Sequence, residues 1–543
     1  MSMKSPARNW PLFAGPIVTL AVSFGWTSSL DSFKLLALGV VAGLCLASLS
    51  LAFRESANYL LSPVLTVTIV FILGLLVPII FSNSPLAQQF YGVSGRNLGF
   101  LHYLFLIFVF FGISTLDFKK TWPQVLKSIL IVGSFEAAYG ALQFLGLDPA
   151  PWKNPDKWIF GTFGNPNYLS SFLALSAIAT LYVALDDKRF VYKLCWFALA
   201  LFQTSIILLS ASSQGLILLL FGVCGFISIF CFNRSRILGF SSLISALAVG
   251  LTGVLGIFQF GPLSTYLYQD SVSYRGDYWR AGIRMFQENW LHGVGLDSYG
   301  DYYRMYRDSI AANRRGLDVF SNSAHNIFID LAATGGIVLL LSYLSIIGIV
   351  GFSVLRTFVS GTNVSLEYKI LVVLWIAFNL QTVISINVPS LAIWGWIFSG
   401  LILAYKKVDT QLKTHQKMQR KRRRKGFMFT SAAYCLFCIV LVAPLINRDV
   451  ELADALSKNQ APEITHALLI DPKDADQMAA VAIAYGKLGW GKEALELAKR
   501  AILENPNSPR AWKVILENQE ANQMDKDKAR LALGRLDPLF VAE

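Results

Sequence analysis

Long apolar runs recur along this chain, and they constrain its fold more than any other feature. A helix that crosses a bilayer needs about 20 mostly apolar residues. The chain has 543 residues, of which 54% are hydrophobic and only 15% are charged. About thirteen runs are candidate spans by this criterion, near residues 12–28, 34–52, 63–81, 98–116, 125–145, 167–185, 194–212, 215–232, 237–258, 326–352, 369–387, 391–405 and 427–446. The sequence therefore predicts an all-α, polytopic membrane helical bundle.

The basic residues indicate how these spans are oriented. Loops on the cytoplasmic side of a membrane are enriched in Lys and Arg. The densest basic segment is the linker 406–425, which contains the string RKRRRK. Between two candidate spans, such a run favours contact with anionic lipid over nucleic-acid binding. The distribution predicts an inner N-terminus, an inner linker, an outer loop over residues 259–324 and an outer C-terminal region.

The loop 259–324 has a composition that favours a phosphate-bearing, sugar-bearing ligand. It carries seven arginines and no lysine, together with eight tyrosines and two tryptophans. Guanidinium groups bind phosphate through two parallel hydrogen bonds, and the flat rings of Tyr and Trp suit the faces of sugars. Next to a bilayer, this combination predicts a site for a lipid with both groups.

The same loop also carries seven acidic residues, so it is formally neutral. We therefore expect most of its arginines to pair within the protein and one or two to remain available to a ligand. Arg280 and Arg284 lie four residues apart on a predicted amphipathic surface helix and share a face. The expected carboxylate partners are Asp277, Glu288, Asp301 and Asp308.

Three other polar positions lie at or within the candidate spans. His325 heads the run that re-enters the membrane, where a histidine can act as a general base or bind an anion. Glu136 lies inside the span near 125–145, where a carboxylate is costly and usually faces a cavity or a partner. No cation in a span is an obvious partner for it. The turn that holds Asn165 and Asn167 can cap a helix or present backbone amides to an anion.

The composition changes to a soluble helical type after residue 447. The strings ALLIDP (467–472) and AILENP (501–506) are 34 residues apart, the period of the tetratricopeptide helix–turn–helix repeat. An ordinary helical hairpin bundle is the alternative. We divide the chain into a transmembrane domain over 1–447 and a repeat-like domain over 448–543. We expect the second to lean on the first or on a partner protein, and to be separable from catalysis.

Several strings in the membrane region together resemble the O-antigen ligase and O-antigen polymerase superfamily of bacterial envelope glycosyltransferases. They are YGVSGRNLGFLHYL (91–104), GTFGNPNYLSSFLAL (161–175), SYRGDYWRAGIRMFQENWLHGVGLDSY (273–299) and SAHNIFIDLAATGGIVLLL (323–341). Their order and membrane setting are quite specific, and members with an appended tetratricopeptide domain are familiar. One string departs from the pattern, because SASSQG (210–215) has Gln214 where relatives often have Arg.

The resemblance implies a GT-C-like fold and transfer of a glycan from an undecaprenyl-diphosphate carrier, without a metal or other cofactor, at the outer face of the bacterial cytoplasmic membrane. It implies that Arg275 binds the diphosphate and that His325 assists the acceptor hydroxyl or the diphosphate. Arg96, Gln214, Arg280 and Arg284 are further candidates for the diphosphate. The other polar candidates are Asn165, Asn167, Glu136 and Asn326.

The sequence leaves the acceptor open. Ligation to a lipid core, polymerisation of repeat units and transfer to a protein all fit, and a repeat domain slightly favours a protein partner or acceptor. A non-enzymatic membrane transporter or assembly factor of the envelope is the competing class. A transporter would show charged partners within spans and interrupted helices, and the lack of a cation near Glu136 weighs against it. A scaffold anchored by so many spans is a third reading.

Overall fold

The computed structural model describes residues 10–23, 30–55, 62–150, 154, 157–257, 270–360, 364–405 and 420–540. Residues 259–269 of the predicted outer loop and 406–419 of the predicted inner linker lie outside the described residues. All regular secondary structure within the described ranges is helical, which confirms the predicted helical class.

Most of the membrane-type helices come first in the chain, and together with the later ones they enclose the larger hydrophobic core. The first ten helices, one of which is a short helix at Leu86–Tyr91, are α1 (Pro11–Thr19), α2 (Leu30–Glu55), α3 (Pro63–Phe81), α4 (Leu86–Tyr91), α5 (Phe100–Ser114), α6 (Phe118–Phe144), α7 (Pro166–Asp186), α8 (Phe190–Leu209), α9 (Ser213–Arg234) and α10 (Arg236–Ile257).

The remaining helices include the outer-loop elements, the last membrane-type helices and the C-terminal part. They are α11 (Asp270–Glu288), α12 (Tyr299–Tyr306), α13 (Ser309–Arg315), α14 (Ile327–Val359), α15 (Leu366–Thr382), α16 (Pro389–Ala404), α17 (Arg420–Lys458), α18 (Ala461–Leu468), α19 (Ala475–Lys487), α20 (Gly491–Glu504), α21 (Pro509–Glu517) and α22 (Gln523–Leu536).

Eight of the described helices are long and apolar enough to cross a membrane. Shorter apolar helices occur at Phe100–Ser114, Ile237–Ala246 and Pro389–Ala404. The first predicted span, near residues 12–28, contains only the nine-residue helix α1 among its described residues. These observations establish a polytopic helical membrane protein, and the larger span count stays a prediction.

A break in α14 holds the outer loop against the membrane bundle. Gly336 has φ +68° and interrupts the helix, and a Cβ at this position would lie 2.3 Å from the backbone oxygen of Leu291. The turn after α11 pairs with this break, because Val294 and Gly295 donate their amides to the carbonyls of Ala333 and Thr334 at 2.9 Å. The glycines of the ATGG string therefore allow a close backbone contact that fixes the start of the next loop segment.

The C-terminal helices form a second hydrophobic core around Met478, Ala494 and Ala498. Small residues at these contacts let α19 and α20 pack closely, and α21 packs against both. The helix α17 connects this core to the membrane bundle, where it packs along α2. We refer to residues 461–540 as the C-terminal helical region.

Candidate active site

A cavity of about 460 Å³ lies where the outer loops meet the ends of the membrane helices. It combines cationic, amide, aromatic and imidazole groups in one space. Its walls come from the start of α2, the loop before α5, the turn before α7, helix α11, the segment before α14 and the loop before α16. The lining residues that carry functional groups are Asp31, Arg96, Asn165, Tyr168, Tyr278, Ser321, Asn322, Ser323 and His325.

Arg96 is held at this cavity by Asp297 and Asn322, about 200 residues later in the chain. Its Nη2 lies 2.6 Å from Oδ1 of Asp297, and its Nη1 donates to the carbonyl of Asn322. The other carboxylate oxygen of Asp297 accepts the amides of Val93 and Leu98, at 2.7 and 3.3 Å. Burial raises the pKa of Asp297, and Arg96 and these amides oppose that shift. Arg96 thus ties two outer segments together, and its charge is partly neutralised.

Arg275 lies beside the same cavity and differs from Arg96 in its partners. Its side chain is buried, and it interacts electrostatically with the cavity residues Tyr168 and Tyr278. Burial lowers its pKa, and the two tyrosines oppose the shift. Among the side chains that the structure describes, no carboxylate pairs with it. A desolvated guanidinium without a counterion is a favourable place for an anionic ligand.

The other described arginines of the outer loop are paired within the protein. Arg280 contacts Asp277 and Asp308, each at 2.6 Å, and Arg284 lies 3.9 Å from Asp308. Arg314 also approaches Asp277. Arg280 and Arg284 do not line the cavity, so their assignment as diphosphate ligands is not supported by their positions.

The prediction that most of these arginines pair with carboxylates was confirmed, but two of the four predicted carboxylate partners were wrong. Asp277 and Asp308 are partners, whereas Glu288 accepts from the hydroxyl of Tyr306 and Asp301 accepts from the amide of Gln88. Asp537, which lies far along the chain in the C-terminal helical region, takes their place by pairing with Arg304 and Arg307. The side chain of Arg315 lies outside the described residues.

His325 sits on the cavity wall in an uncommon backbone conformation. Its φ is +51°, a left-handed value that a residue other than glycine adopts at a cost of about 1–3 kcal/mol. Its ring centroid is 5.6 Å from that of Tyr278. Immediately after it, Asn326 caps α14 by accepting the amides of Phe328 and Ile329. Asn326 therefore fixes the helix start, and the strained His325 backbone turns the imidazole toward the cavity.

The turn before α7 contributes Asn165 directly and Asn167 indirectly. Asn165 lines the cavity and caps α7 by accepting the amide of Asn167. Oδ1 of Asn167 accepts the hydroxyl of Ser212 at 2.8 Å, which connects this turn to the start of α9. Gln214 lies in the first turn of α9 and is buried, and neither of its side-chain amide atoms has a hydrogen-bond partner among the described residues. It is not among the residues that line the cavity.

Glu136 belongs to a buried polar network next to the cavity. Its Oε2 accepts the amide of Thr162 at 3.0 Å, and its Oε1 accepts the Thr162 hydroxyl. Lys34, which is fully buried, donates to the carbonyl of Thr19 at the end of α1 at 2.7 Å. Lys34 interacts electrostatically with both Glu136 and the cavity residue Asp31. The expectation that Glu136 lacks a cation within the spans was therefore wrong, because α2 supplies one.

Glu136→Ala is expected to destabilise the protein by about 3–5 kcal/mol. The substitution removes the acceptor of Thr162 and leaves Lys34 buried without this compensating charge. Thermal unfolding of the detergent-solubilised protein would measure the loss. Glu136→Gln keeps an acceptor for Thr162 and should cost less, whereas wild-type stability of Glu136→Ala would show that the network contributes little.

The structure thus brings Arg96, Asn165 and His325 together and places Arg275 beside them. Asp31, Tyr168 and Tyr278 were missed as site residues. Tyr168 directly follows Asn167, and Tyr278 lies three residues after Arg275, each within one of the strings quoted above. This closeness in sequence to candidate residues was a signal that could have identified both tyrosines. Asp31 carried no such signal.

Residues 196–344 match the family model described as O-Antigen ligase. This segment runs from α8 into α14 and includes Gln214, Arg275 and His325, whereas Arg96 and Asn165 precede it. No curated protein matches the chain. The match supports the O-antigen ligase family and, with the apolar helices, a membrane enzyme of the glycosyltransferase type that performs ligase-like glycan transfer.

Proposed function

We propose that this protein transfers a glycan from an undecaprenyl-diphosphate donor to an acceptor hydroxyl at the outer face of the bacterial cytoplasmic membrane. The observation that carries the proposal is the cavity lined by His325 and Arg96, with Arg275 beside it. Arg275 is buried and has no carboxylate partner among the described side chains. The family match over residues 196–344 supports the same reaction class. The residues that the match contains include both proposed catalytic groups.

In the proposed reaction, the acceptor oxygen forms a bond to the anomeric carbon of the donor glycan. The bond from that carbon to the diphosphate oxygen breaks, and its electron pair leaves with the diphosphate. His325 takes the proton of the acceptor hydroxyl. Arg275 stabilises the charge that develops on the leaving diphosphate, since preorganised donors in a partly dry site act strongly on such charge. Arg96 and Asn165 supply further hydrogen-bond donors at the cavity wall.

Gln214 stands where relatives often have an arginine, but it does not line the cavity, so we propose no direct contact between it and the donor. Its buried amide has no hydrogen-bond partner among the residues that the structure describes. Arg96 compensates only in part, because Asp297 already pairs with it. Arg275 is therefore the main cation of the proposed site.

The proposed topology places residues 259–324 and 448–543 outside and the linker 406–425 inside. Two observations support it. The helix α17 has 39 residues, so at 1.5 Å per residue it is about 58 Å long and exceeds the bilayer core. A helix of this length can have the linker at its start and the C-terminal region at its end on opposite sides of the membrane. Asp537 pairs with Arg307 of the outer loop at 2.8 Å, which requires both segments to share one side.

Reporter fusions at Asn313 and Lys458 should both give the external signal, and a fusion within 406–425 should give the internal one. Fusions to full-length protein that retains its activity serve as the control. Opposite signals at Asn313 and Lys458 would rule out the proposed topology.

Ligation, polymerisation and protein glycosylation differ in the acceptor of the glycan. Deletion of the gene distinguishes the three reactions by the product that is lost. Loss of the glycan from a lipid core, loss of long polymer with single units retained, or loss of glycoprotein each identifies one acceptor. A change in donor distribution across the membrane, with purified protein inactive in transfer, would favour the transporter alternative. Because Lys34 is a buried cation that interacts with Glu136, the lack of an intramembrane cation no longer weighs against a transporter. Glycan transfer and donor transport therefore have to be measured side by side.

A further inference from the structure

The C-terminal helical region contacts the outer loop through a buried ion-pair cluster. Nη2 of Arg307 lies 2.8 Å from Oδ1 of Asp537, and Nη1 of Arg304 lies 3.4 Å from Oδ2. The exposed fractions of all three side chains are 5% or less. A carboxylate shared by two arginines in a dry interface favours one arrangement of the two parts, because a shifted arrangement would leave buried charges uncompensated.

The same arginines extend this contact to the cavity wall. Nη2 of Arg304 donates to the carbonyl of Asp318 at 2.7 Å, and Nη1 of Arg307 donates to the carbonyl of Val319 at 3.3 Å. The next residue, Phe320, lines the cavity. Asp537 is therefore connected through two guanidinium groups to the backbone that positions Phe320.

A second contact reaches Phe320 directly. The guanidinium carbon of Arg510, in α21, lies 3.7 Å from the centroid of the Phe320 ring. Nη1 of Arg510 also lies 2.9 Å from Oδ1 of Asp476 in α19, which orients the guanidinium over the ring. Cation–π stacking of this kind stabilises an aromatic side chain in one position.

A third contact reaches the loop before α5, which is another part of the cavity wall. The amide of Ser94 donates to Oδ2 of Asp474 at 2.7 Å, while the other oxygen of Asp474 caps α19. Gly95 and Arg96, which follow Ser94, line the cavity. The C-terminal helical region therefore contacts two outer segments that line the cavity.

We infer that the C-terminal helical region is a positioning element of the active-site cavity, with Arg510 and Asp537 as its positioning residues. They order the segment 318–325, which carries Phe320 and ends at His325. This inference rests on the proposed function for its catalytic consequence, and on the contacts alone for its structural one. It is the alternative to the expectation that residues 448–543 are separable from catalysis.

Hydrogen exchange of the full-length protein in detergent tests the structural part. Arg510→Ala removes the stacking on Phe320 and should raise the exchange rate of the 318–325 amides by about 2- to 30-fold. Arg510→Lys keeps the charge but loses the planar group, and should recover part of the protection. Arg530→Ala is the matched control, because Arg530 pairs only with Asp527 among the described residues. It should leave the 318–325 amides unchanged.

Glycan transfer by the same proteins tests the catalytic part. Displacement of a cavity wall by about 1 Å can lower a rate on the order of 10²-fold, so Arg510→Ala should lower kcat, with partial rescue by Arg510→Lys and none of this loss in Arg530→Ala. Asp537→Asn should give the same pattern from an independent contact. This second variant guards against a misfolded Arg510→Ala protein.

These outcomes test the inference and the proposed function separately. Unchanged exchange in both Arg510→Ala and Asp537→Asn would overturn it, and so would raised exchange with normal transfer. If wild-type protein transfers no glycan, the proposed function fails, and the exchange of the 318–325 amides alone decides whether this region orders the cavity wall.

Discussion

Replacement of His325 by alanine is expected to lower the turnover number of glycan transfer by about 10²- to 10⁴-fold, the range of general acid–base catalysis. The donor KM should change far less, because the imidazole handles the proton of the acceptor and does not neutralise the diphosphate. Loss of turnover with retained binding is the signature of a group that acts mainly in the transition state. Steady-state transfer assays in membranes, with protein amount controlled, measure both constants.

His292→Ala is the matched control for this prediction. His292 lies in the turn after α11, where its Nδ1 lies 2.7 Å from the carbonyl oxygen of Gly293, and it does not line the cavity. It should keep near-normal turnover. A His325→Ala protein with wild-type turnover would mean that the imidazole has no catalytic role.

Arg275→Lys is expected to lower kcat/KM by roughly 30- to 4,000-fold, corresponding to about 2–5 kcal/mol for a lost charged hydrogen bond to a ligand. Lysine preserves the charge but replaces a planar, two-pronged donor with a point charge. Because Arg275 has no carboxylate partner among the described side chains, the loss should fall on ligand binding and leave folding intact. Both donor affinity and turnover should fall, unlike the His325 variant.

Arg314→Lys tests whether the effect belongs to the position. Arg314 is in the same loop and is half-exposed, and it pairs with Asp277 away from the cavity. Its replacement should leave transfer and unfolding temperature near wild type. Equal losses in the Arg275 and Arg314 variants would point to general damage of the loop and would contradict the assignment.

The sequence predicted the parts of this site that lie in continuous strings. The strings around Arg96, Asn165, Arg275 and His325 marked these residues as candidates. The structure places Arg96, Asn165 and His325 at one cavity, with Arg275, which lies within α11, beside it. Helical spacing correctly placed Arg280 and Arg284 on one helix. The same spacing brings Asp277 near Arg280, three residues later in the helix. It could not show that this face meets Asp308 and not Glu288 or Asp301, because periodicity defines a face without its neighbour.

Long-range contacts account for most of what the sequence did not predict. Lys34 and Glu136 lie in different helices, and nothing in either segment indicates that Thr19 and Thr162 bring them near each other. Asp537 reads as the C-terminal cap of its helix, yet it pairs with Arg304 and Arg307 more than 200 residues earlier. Such pairs arise from tertiary packing, which local propensity and hydrophobic patterns do not encode.

Transfer by purified protein in proteoliposomes is the most direct test of the account. The liposomes would contain a donor with a labelled glycan on undecaprenyl diphosphate and an extract of envelope acceptors. Wild-type protein should move the label to an acceptor and release undecaprenyl diphosphate in equal amount, and the Arg275→Ala and His325→Ala proteins should release neither. Movement of intact donor between leaflets without release of the diphosphate carrier, or transfer at wild-type rates by either variant, would contradict the proposed active site.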